Sequence, residues 1–577
     1  MAASWFAVFR LRMRGKSVVV RHQVQNQVHN QVHNHTSVGT HVGASHVQAA
    51  PDHHSDEKEN ERRRLLHVVQ AERREQAERS VLISCHATNS EKKFLKHLSK
   101  YGDIKKHFFY QSFGLYAVVE YSSQESVASL LEHAAIPTVN HESVVPFKSR
   151  LLSLRSLASV ASVGSADQQS GQHCQPQTSP PISELIQRLS REESIDQQIT
   201  ALTEAYQLTE ENIRLRFLVC SLLKDIAAAY FPECTIRPFG SSVNGFGKLG
   251  CDLDMFLDLD GISGRNVKMH RSGLSLEYHM KSANSERAVT QSILSVIGEC
   301  VDKFGPGCVG VQKILNARCP LVRFAHQPSG FQCDLTANNR VAMKSTELLY
   351  LYGELDPRVR SLVFSVRCWA QAHGVTSRIP GAWITNFSLT VMVLFFLQRR
   401  SPPIIPTLDH LRDLAGPADK SVIEDNDCTF VSDFSKIHIH RNTAAMEQLL
   451  CEFFDFYASF AFNKMSINIR KGKEQNKPEV VPLHIQNPFE TSLNISKNVN
   501  STQLDRFVAL CRESVWLLQQ SATNSPNGES GATPWGLAAL LQPLQVPGNK
   551  GRKRRSREPA SERIKSLLES LKIKNQS

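Results

Sequence analysis

A chain of 577 residues, 41 % of them hydrophobic, is too long for one ordinary domain and apolar enough to build two to four packed cores. No uninterrupted run reaches about 18 apolar residues, so no membrane span is expected. The net charge of +12 and the pI of about 9.1 suit an anionic partner, and 13 scattered cysteines without a CxxC pair or zinc-like His/Cys spacing read as reduced, packed thiols rather than a disulfide framework.

Residues 1–50 contain no Asp or Glu and open "MAASWFAVFRLRMRGKSVVVRH", with Arg10, Arg12, Arg14, Lys16 and Arg21 among apolar residues. That is the pattern of a mitochondrial transit peptide, followed by a low-complexity Gln-Val-His-Asn repeat with no core-forming period. Residues 56–80 read as a charged helix whose apolar content is Leu65, Leu66, Val68 and Val69. Over 80–155 the pattern predicts strand "SVLISCH", helix "SEKKFLKHLSKYG", strands "IKKHFFYQ" and "GLYAVVEYSS", helix "SQESVASLLEHA" and a closing strand in "HESVVPFKS". This β-α-β-β-α-β order resembles an RNA-recognition module. Such a module stacks bases on aromatics of its central strands. Here the first strand has none, and the third has Tyr116 and Tyr121 but Val118 at a usual stacking position. A protein-contact or dimerisation role is therefore favoured over base stacking.

A Ser/Gln/Pro/Gly-rich linker is expected at 156–182, then helices over 183–230, strands at 309–336 and helices from 345 to 460. "FSLTVMVLFFLQRR" (387–400) reads as a buried core helix, and 415–445 as a polar insertion. Residues 521–577 read as a basic, largely disordered tail carrying "NKGRKRRSREP" and a short amphipathic helix with Ile564, Leu567, Leu568 and Leu571 on one face.

The chemistry lies in "FGSSVNGFGKLGCDLDMFLDLD" (239–260). On a strand, Asp252, Asp254, Phe256, Asp258 and Asp260 share one face, while Leu253, Met255, Leu257 and Leu259 share the other. Two carboxylates roughly 4 Å apart repel by about 1–4 kcal/mol, and an oxygen-preferring divalent cation offsets this. Upstream, with ten residues between Ser241 and Asp252, Gly240 and Ser241 form a turn whose amides and hydroxyl suit phosphate. Asp334 in "GFQCDLTANN" supplies a third carboxylate on a neighbouring strand, as a two-metal clamp requires. Asp258 and Asp260 read as solvated strand-end residues, and Gly245, Gly247 and Gly250 as shapers of the loop.

The order "FGSS…DLD…CDLT" resembles the nucleotidyltransferase superfamily that includes DNA polymerase beta. "VFSVRCWAQAHGV", "GAWITNFSLTVMVLFFLQRRSPPIIPTL" and "IQNPFETSLNISKNV" extend the resemblance over about 183–520 to the noncanonical poly(A) and terminal uridylyl polymerases. It implies an α+β fold: a polymerase-beta-like palm at 183–344 with N-terminal helices, and a helical poly(A)-polymerase-associated domain at 345–520. It further implies that Asp252, Asp254 and Asp334 hold Mg²⁺ or Mn²⁺, and that Asp334 helps activate an RNA 3′-hydroxyl. Gly240 and Ser241 would hold the triphosphate of ATP, Asn339 the sugar, and Arg367 stands where relatives carry a triphosphate-binding lysine.

Some positions depart from the family pattern. Gln371 replaces a second lysine. "ITNF" replaces "SSYG", so that Asn386 stands for the base-stacking tyrosine, Thr385 keeps a hydroxyl, and Phe387 is the remaining ring. Leu493 replaces a histidine that favours uracil in the uridylyl relatives, which favours ATP over UTP. The expectation is an RNA adenylyltransferase acting on RNA 3′ ends in the mitochondrial matrix, dimerising through the 80–155 module. A uridylyltransferase of the same fold and a catalytically silent RNA-binding scaffold are the alternatives.

Overall fold

Two five-stranded sheets organise the chain, each apolar on the face its helices cover. The computed structural model describes residues 63–85, 91–133, 149–153, 174–228, 231, 234–258, 285–337, 339–377, 379, 381–523 and 533–542. The transit-like and low-complexity segments, "HESVVPFKS" up to its final Ser149, most of the linker, Asp260, the basic run and the terminal amphipathic segment lie outside them.

The first sheet has the order β4-β1-β3-β2-β5, from β1 (Ser80–Cys85), β2 (Ile104–Gln111), β3 (Leu115–Tyr121), β4 (Leu151–Ser153) and β5 (Cys174–Gln175). It is preceded by α1 (Leu66–Glu78) and covered by α2 (Glu91–Leu98) and α3 (Gln124–His133). Strand alternation sends Val81, Ile83, Phe109, Ala117, Val119 and Tyr121 against Phe94, Leu98, Val127 and Leu130 of these helices. The closing strand is Leu151–Ser153, parallel to β1, and the end of the expected linker supplies the β5 edge, parallel to β2.

The opposite face of this sheet is not open. Leu82, Tyr110 and Val118 are buried in one core with the next helices and the second sheet, with Phe108, Tyr116 and Leu151 packed against it. The Tyr110 hydroxyl donates to the Pro328 carbonyl at 2.8 Å, and Tyr110 and Tyr116 stack with centroids 5.8 Å apart. Buried Glu120 pairs with Arg79 and Arg214, and Arg150 donates to Asp225 (2.8 Å), to Ser221 (2.6 Å) and to the Ala77 carbonyl (2.6 Å). The face on which a recognition module stacks bases is here a packing surface. Tyr121 lies on the helix side.

Helices α4 (Ile182–Leu189), α5 (Ile195–Tyr206) and α6 (Glu210–Ala228) lead into the second sheet, of order β6-β7-β10-β9-β8. Its strands are β6 (Thr235–Pro238), β7 (Leu253–Asp258), β8 (Cys308–Ile314), β9 (Leu321–His326) and β10 (Phe331–Ala337), with α7 (Glu286–Phe304) between β7 and β8. All neighbours are antiparallel except β7 and β10, which run parallel. Leu253, Met255, Leu257, Val322, Phe324, Cys333 and Leu335 face α6 and α7 in the same core as Leu218, Leu222, Ile293 and Ile297. The alternate residues carry the carboxylates.

The C-terminal half is helical: α8 (Arg340–Leu355), α9 (Pro357–Ala372), α10 (Asn386–Gln398), α11 (Leu408–Asp413), α12 (Met446–Ser459), α13 (Ser501–Thr523) and α14 (Gly536–Leu540), with the short hairpins β11/β12 (Val422–Ile423, Asn426–Asp427) and β13/β14 (Met465–Ser466, Gln475–Asn476). α10 is apolar all round because it is buried all round, from Ser388 to Gln398. Each fully buried Leu or Phe there contributes about 1.5–3 kcal/mol of transfer free energy. Two expectations are corrected. The segment 415–445 is not a polar insertion: it sends Cys428, Phe430, Val431, Phe434 and Ile437 into the helical core. The expected tail contributes too, with Leu537, Ala538, Leu540 and Leu541 buried against α4 and α5. The cysteines are free thiols, and no helix among the described residues is long and apolar enough to cross a membrane.

Candidate active site

The parallel pairing of β7 with β10 sets Asp254 opposite Asp334 in register. Asp252 is exposed and stands just before β7, one alternation away from Asp254. Burial, with the charges of Asp334 and Asp252, pushes the Asp254 carboxyl up to about 7. Asp258 does not join them. It pairs with Arg237 across β6 and β7 instead of lying free in solvent.

Between β6 and β7 the chain makes one 3-10 turn, Gly240–Ser242. Gly240 sits at φ +62°, and a β-carbon there would come 3.1 Å from Asp254 Oδ2. Glycine is required both by the backbone angle and by the close approach. Its amide donates to Thr346 Oγ1 of α8 at 3.0 Å, so the position brings the turn against the carboxylates rather than offering its own N–H. Ser241 Oγ lies 3.5 Å from Cys251 Sγ. Gly247 runs against the Ser241 carbonyl so closely that a β-carbon would lie 2.1 Å from it, which folds the loop back on the turn.

Beneath this loop lies Arg216 of α6, fully buried and absent from the sequence reading. It donates to Asn212 (2.8 Å), Ser242 (2.9 Å) and the carbonyls of Asp252 (2.9 Å) and Cys251 (2.8 Å), over the Phe331 ring. It ties both arms of the loop to one helix and puts a positive charge under the carboxylates. Its sequence signal is an arginine inside the apolar run "RFLVCSLL".

Arg323 was also missed. It faces Asp334 across the antiparallel β9–β10 pair and grips it with two bonds, Nε to Oδ1 at 2.8 Å and Nη2 to Oδ2 at 2.6 Å. No three His, Cys, Asp or Glu side chains among the described residues converge as a ready-made metal cage. The donor chemistry nevertheless fits a hard divalent cation: oxygen ligands only, negative charge crowded enough to raise one carboxyl, and a flexible partner on the third.

The other expected residues fall into two groups. Arg367 of α9 donates to the Phe246 carbonyl at 2.7 Å, and burial pushes its pKa down to about 10. Exposed Gln371, one turn on, accepts from Lys248 at 2.6 Å, so the glycine loop brings its own cation to the position where a lysine was missed. Thr385 caps α10, accepting from the Ser388 amide at 3.1 Å; Asn386 is exposed and Phe387 half-buried against the helical core. Leu493 is half-buried in a turn closed by bonds of its amide to Glu490 (2.8 Å) and its carbonyl to Asn487 (2.9 Å). Ser388 Oγ to the Ile495 carbonyl, at 3.4 Å, joins that turn to the start of α10. Asn339 is the half-buried residue before α8. Arg318, between β8 and β9, pairs with Glu490 and links the sheet to the Leu493 turn.

A sheet that sets paired aspartates beside a glycine-serine turn, backed by a helical half, defines a nucleotidyltransferase of the polymerase-beta type. The family model described as "Poly(A) RNA polymerase, mitochondrial-like, central palm domain" matches residues 195–354, and an RL domain model matches 65–135. The chain belongs to the mitochondrial poly(A) RNA polymerase family. It is 60 % identical to the Mus musculus member over 507 residues, covering 87 % of this chain and 86 % of the relative, and 59 % identical to the Homo sapiens member, covering 88 % and 86 %. A crystal structure of mtPAP in apo form superposes with a TM-score of 0.76 at 54 % identity, covering 83 % of this chain and all of that one.

Proposed function

We propose that the chain adds adenylate from ATP to RNA 3′ ends in the mitochondrial matrix, without a template. The in-register pair Asp254 and Asp334 carries this reading, because phosphoryl transfer by this class depends on positioning and charge stabilisation rather than a protein nucleophile. Asp252, Asp254 and Asp334 would hold Mg²⁺ or Mn²⁺, which supplies charge neutralisation for the transferring phosphate when bound. The RNA 3′-oxygen bonds to the α-phosphorus, the bond to the β-phosphate oxygen breaks, and pyrophosphate leaves. Asp334 orients the hydroxyl and takes its proton. Ser241, Arg367 and Lys248 line the phosphate side, with Gly240 shaping the turn; Asn339 serves the sugar, and Thr385, Phe387 and Leu493 the base. Related crystal structures carry ATPgammaS, and others UTP, CTP or GTP, so selectivity is to be read from kcat/KM rather than from occupancy.

The test is extension of a defined RNA with each NTP separately. ATP is expected to win, and Asp254→Ala to abolish extension. Equal kcat/KM with UTP removes the specificity reading, and near wild-type extension by Asp254→Ala removes the metal reading. Homodimerisation through the 80–155 module is part of the proposal. Its stacking face is already used within the chain, while Phe113 at the β2–β3 tip is 76 % exposed. Phe113→Glu is expected to shift the dimer towards monomer in sedimentation; an unchanged dimer moves the contact elsewhere.

A further inference from the structure

Arg323 lies in a cross-strand row with chemistry at one end. At one register the sheet carries Gln312 on β8, Arg323 on β9, Asp334 on β10 and Asp254 on β7. Gln312 and Arg323 are exposed, so the row is open from the sheet edge to the carboxylates. The Arg323 fork occupies both oxygens of Asp334. A divalent cation needs those oxygens and repels a guanidinium, so the two compete for one carboxylate. Arg323 stays protonated at any working pH and, once displaced, is drawn to another anion. The reaction brings one. An RNA 3′-hydroxyl at Asp334 places the preceding phosphodiester one sugar away, and β9 is about 4.8 Å from β10.

We propose that Arg323 has two positions: on Asp334 in the metal-free enzyme, and on the last phosphodiester of the RNA when Asp334 takes a divalent cation. This rests on the reading of Asp334 given above. It makes cation and RNA end bind with positive coupling, since each is favoured once Arg323 has left the carboxylate.

Two measurements on the full chain test it. Mn²⁺ titration followed by EPR, without RNA or ATP, is expected to show several-fold tighter binding in Arg323→Gln than in wild type; unchanged or weaker binding overturns the competition. RNA binding is then compared, with Mn²⁺ present, between an oligo(A) and the same oligomer carrying a neutral methylphosphonate at its last linkage. Wild type is expected to lose affinity roughly tenfold, Arg323→Lys to lose less, and Arg323→Gln to bind both alike. An equal penalty in wild type and Arg323→Gln overturns the phosphate contact. Asp334→Asn run in parallel separates the two readings: if it extends RNA normally, the role of Asp334 itself fails.

Discussion

At Asp254 three influences act on one carboxyl: burial, Asp334 and Asp252 together raise it to about 7. The native, metal-free protein thus holds this proton up to neutrality, whereas the unfolded chain releases it near 3.9. In that window the native state binds more protons, so stability falls as pH rises from about 4 to about 7. Asp254→Asn is expected to remove that slope. In EDTA it should be more stable than wild type at pH 8, by roughly 4 kcal/mol at most, and equal to it below pH 4. Denaturant curves that stay parallel across pH would refute this. Gly240→Ala should cost about 1 kcal/mol in stability for its positive φ, and lower kcat far more, because its methyl would press on Asp254 Oδ2; wild-type kcat in that variant would end the argument. The spacing of Asp252 and Asp254 was legible because alternation along one stretch is written in consecutive residues. Arg323 was not, because its meaning depends on which residue faces it across another strand.

The element whose order was most readable is the β-α-β-β-α-β module, and the use of its open face was the least readable. Aromatic and β-branched residues on a sheet suit a base or a protein core equally well, so nothing in Phe108, Tyr110 or Val118 says which covers them. The structure settles the face as a packing surface under Pro328 and α6. Tyr110→Phe is expected to lower stability by about 1 kcal/mol, for the lost bond to Pro328, and to leave RNA affinity unchanged. A loss of RNA affinity without loss of stability would reverse that assignment. His326, at the end of β9 beside the same contact, is buried, with Nδ1 2.8 Å from Ser329 Oγ, and burial pushes its pKa down to about 4. Here the unfolded chain takes up the proton first. Stability should therefore fall as pH drops from about 6.5 to 4, and His326→Gln should flatten this limb in acid denaturation. An unaltered limb would exclude His326 as its source.

On the scale of the whole molecule, the sheet and the helical half meet at the site through the Gly240 amide on Thr346, Arg367 on the Phe246 carbonyl, Lys248 on Gln371, and one exposed ion pair. Arg318 with Glu490 joins the β8–β9 turn to the Leu493 turn, with Arg318 62 % exposed. So exposed a pair adds less than about 1 kcal/mol to stability, but it helps place the turn that the proposed function assigns to the base. Arg318→Ala is expected to raise KM for ATP several-fold at unchanged melting temperature; an unchanged KM would reduce the pair to a surface contact. The division into a sheet half and a helical half was visible in the change of period near residue 345. The core contributions of 415–445 and of Leu537–Leu541 were hidden, because a few buried residues without period inside polar sequence look like loop.

Gln198 gives those last residues a consequence in time. Its side-chain oxygen accepts the Leu537 amide at 2.7 Å, 339 residues along the chain, its nitrogen donates to the Trp535 carbonyl, and the Trp535 indole donates to the Ser190 carbonyl. A polypeptide emerging from a ribosome or threading through a translocation pore delivers Leu185, Leu189 and Ile195 long before their cover. Those residues gain their cover only once residues 535–541 have been made, so a product stopped short of Trp535 would present an uncovered apolar strip to chaperones and proteases.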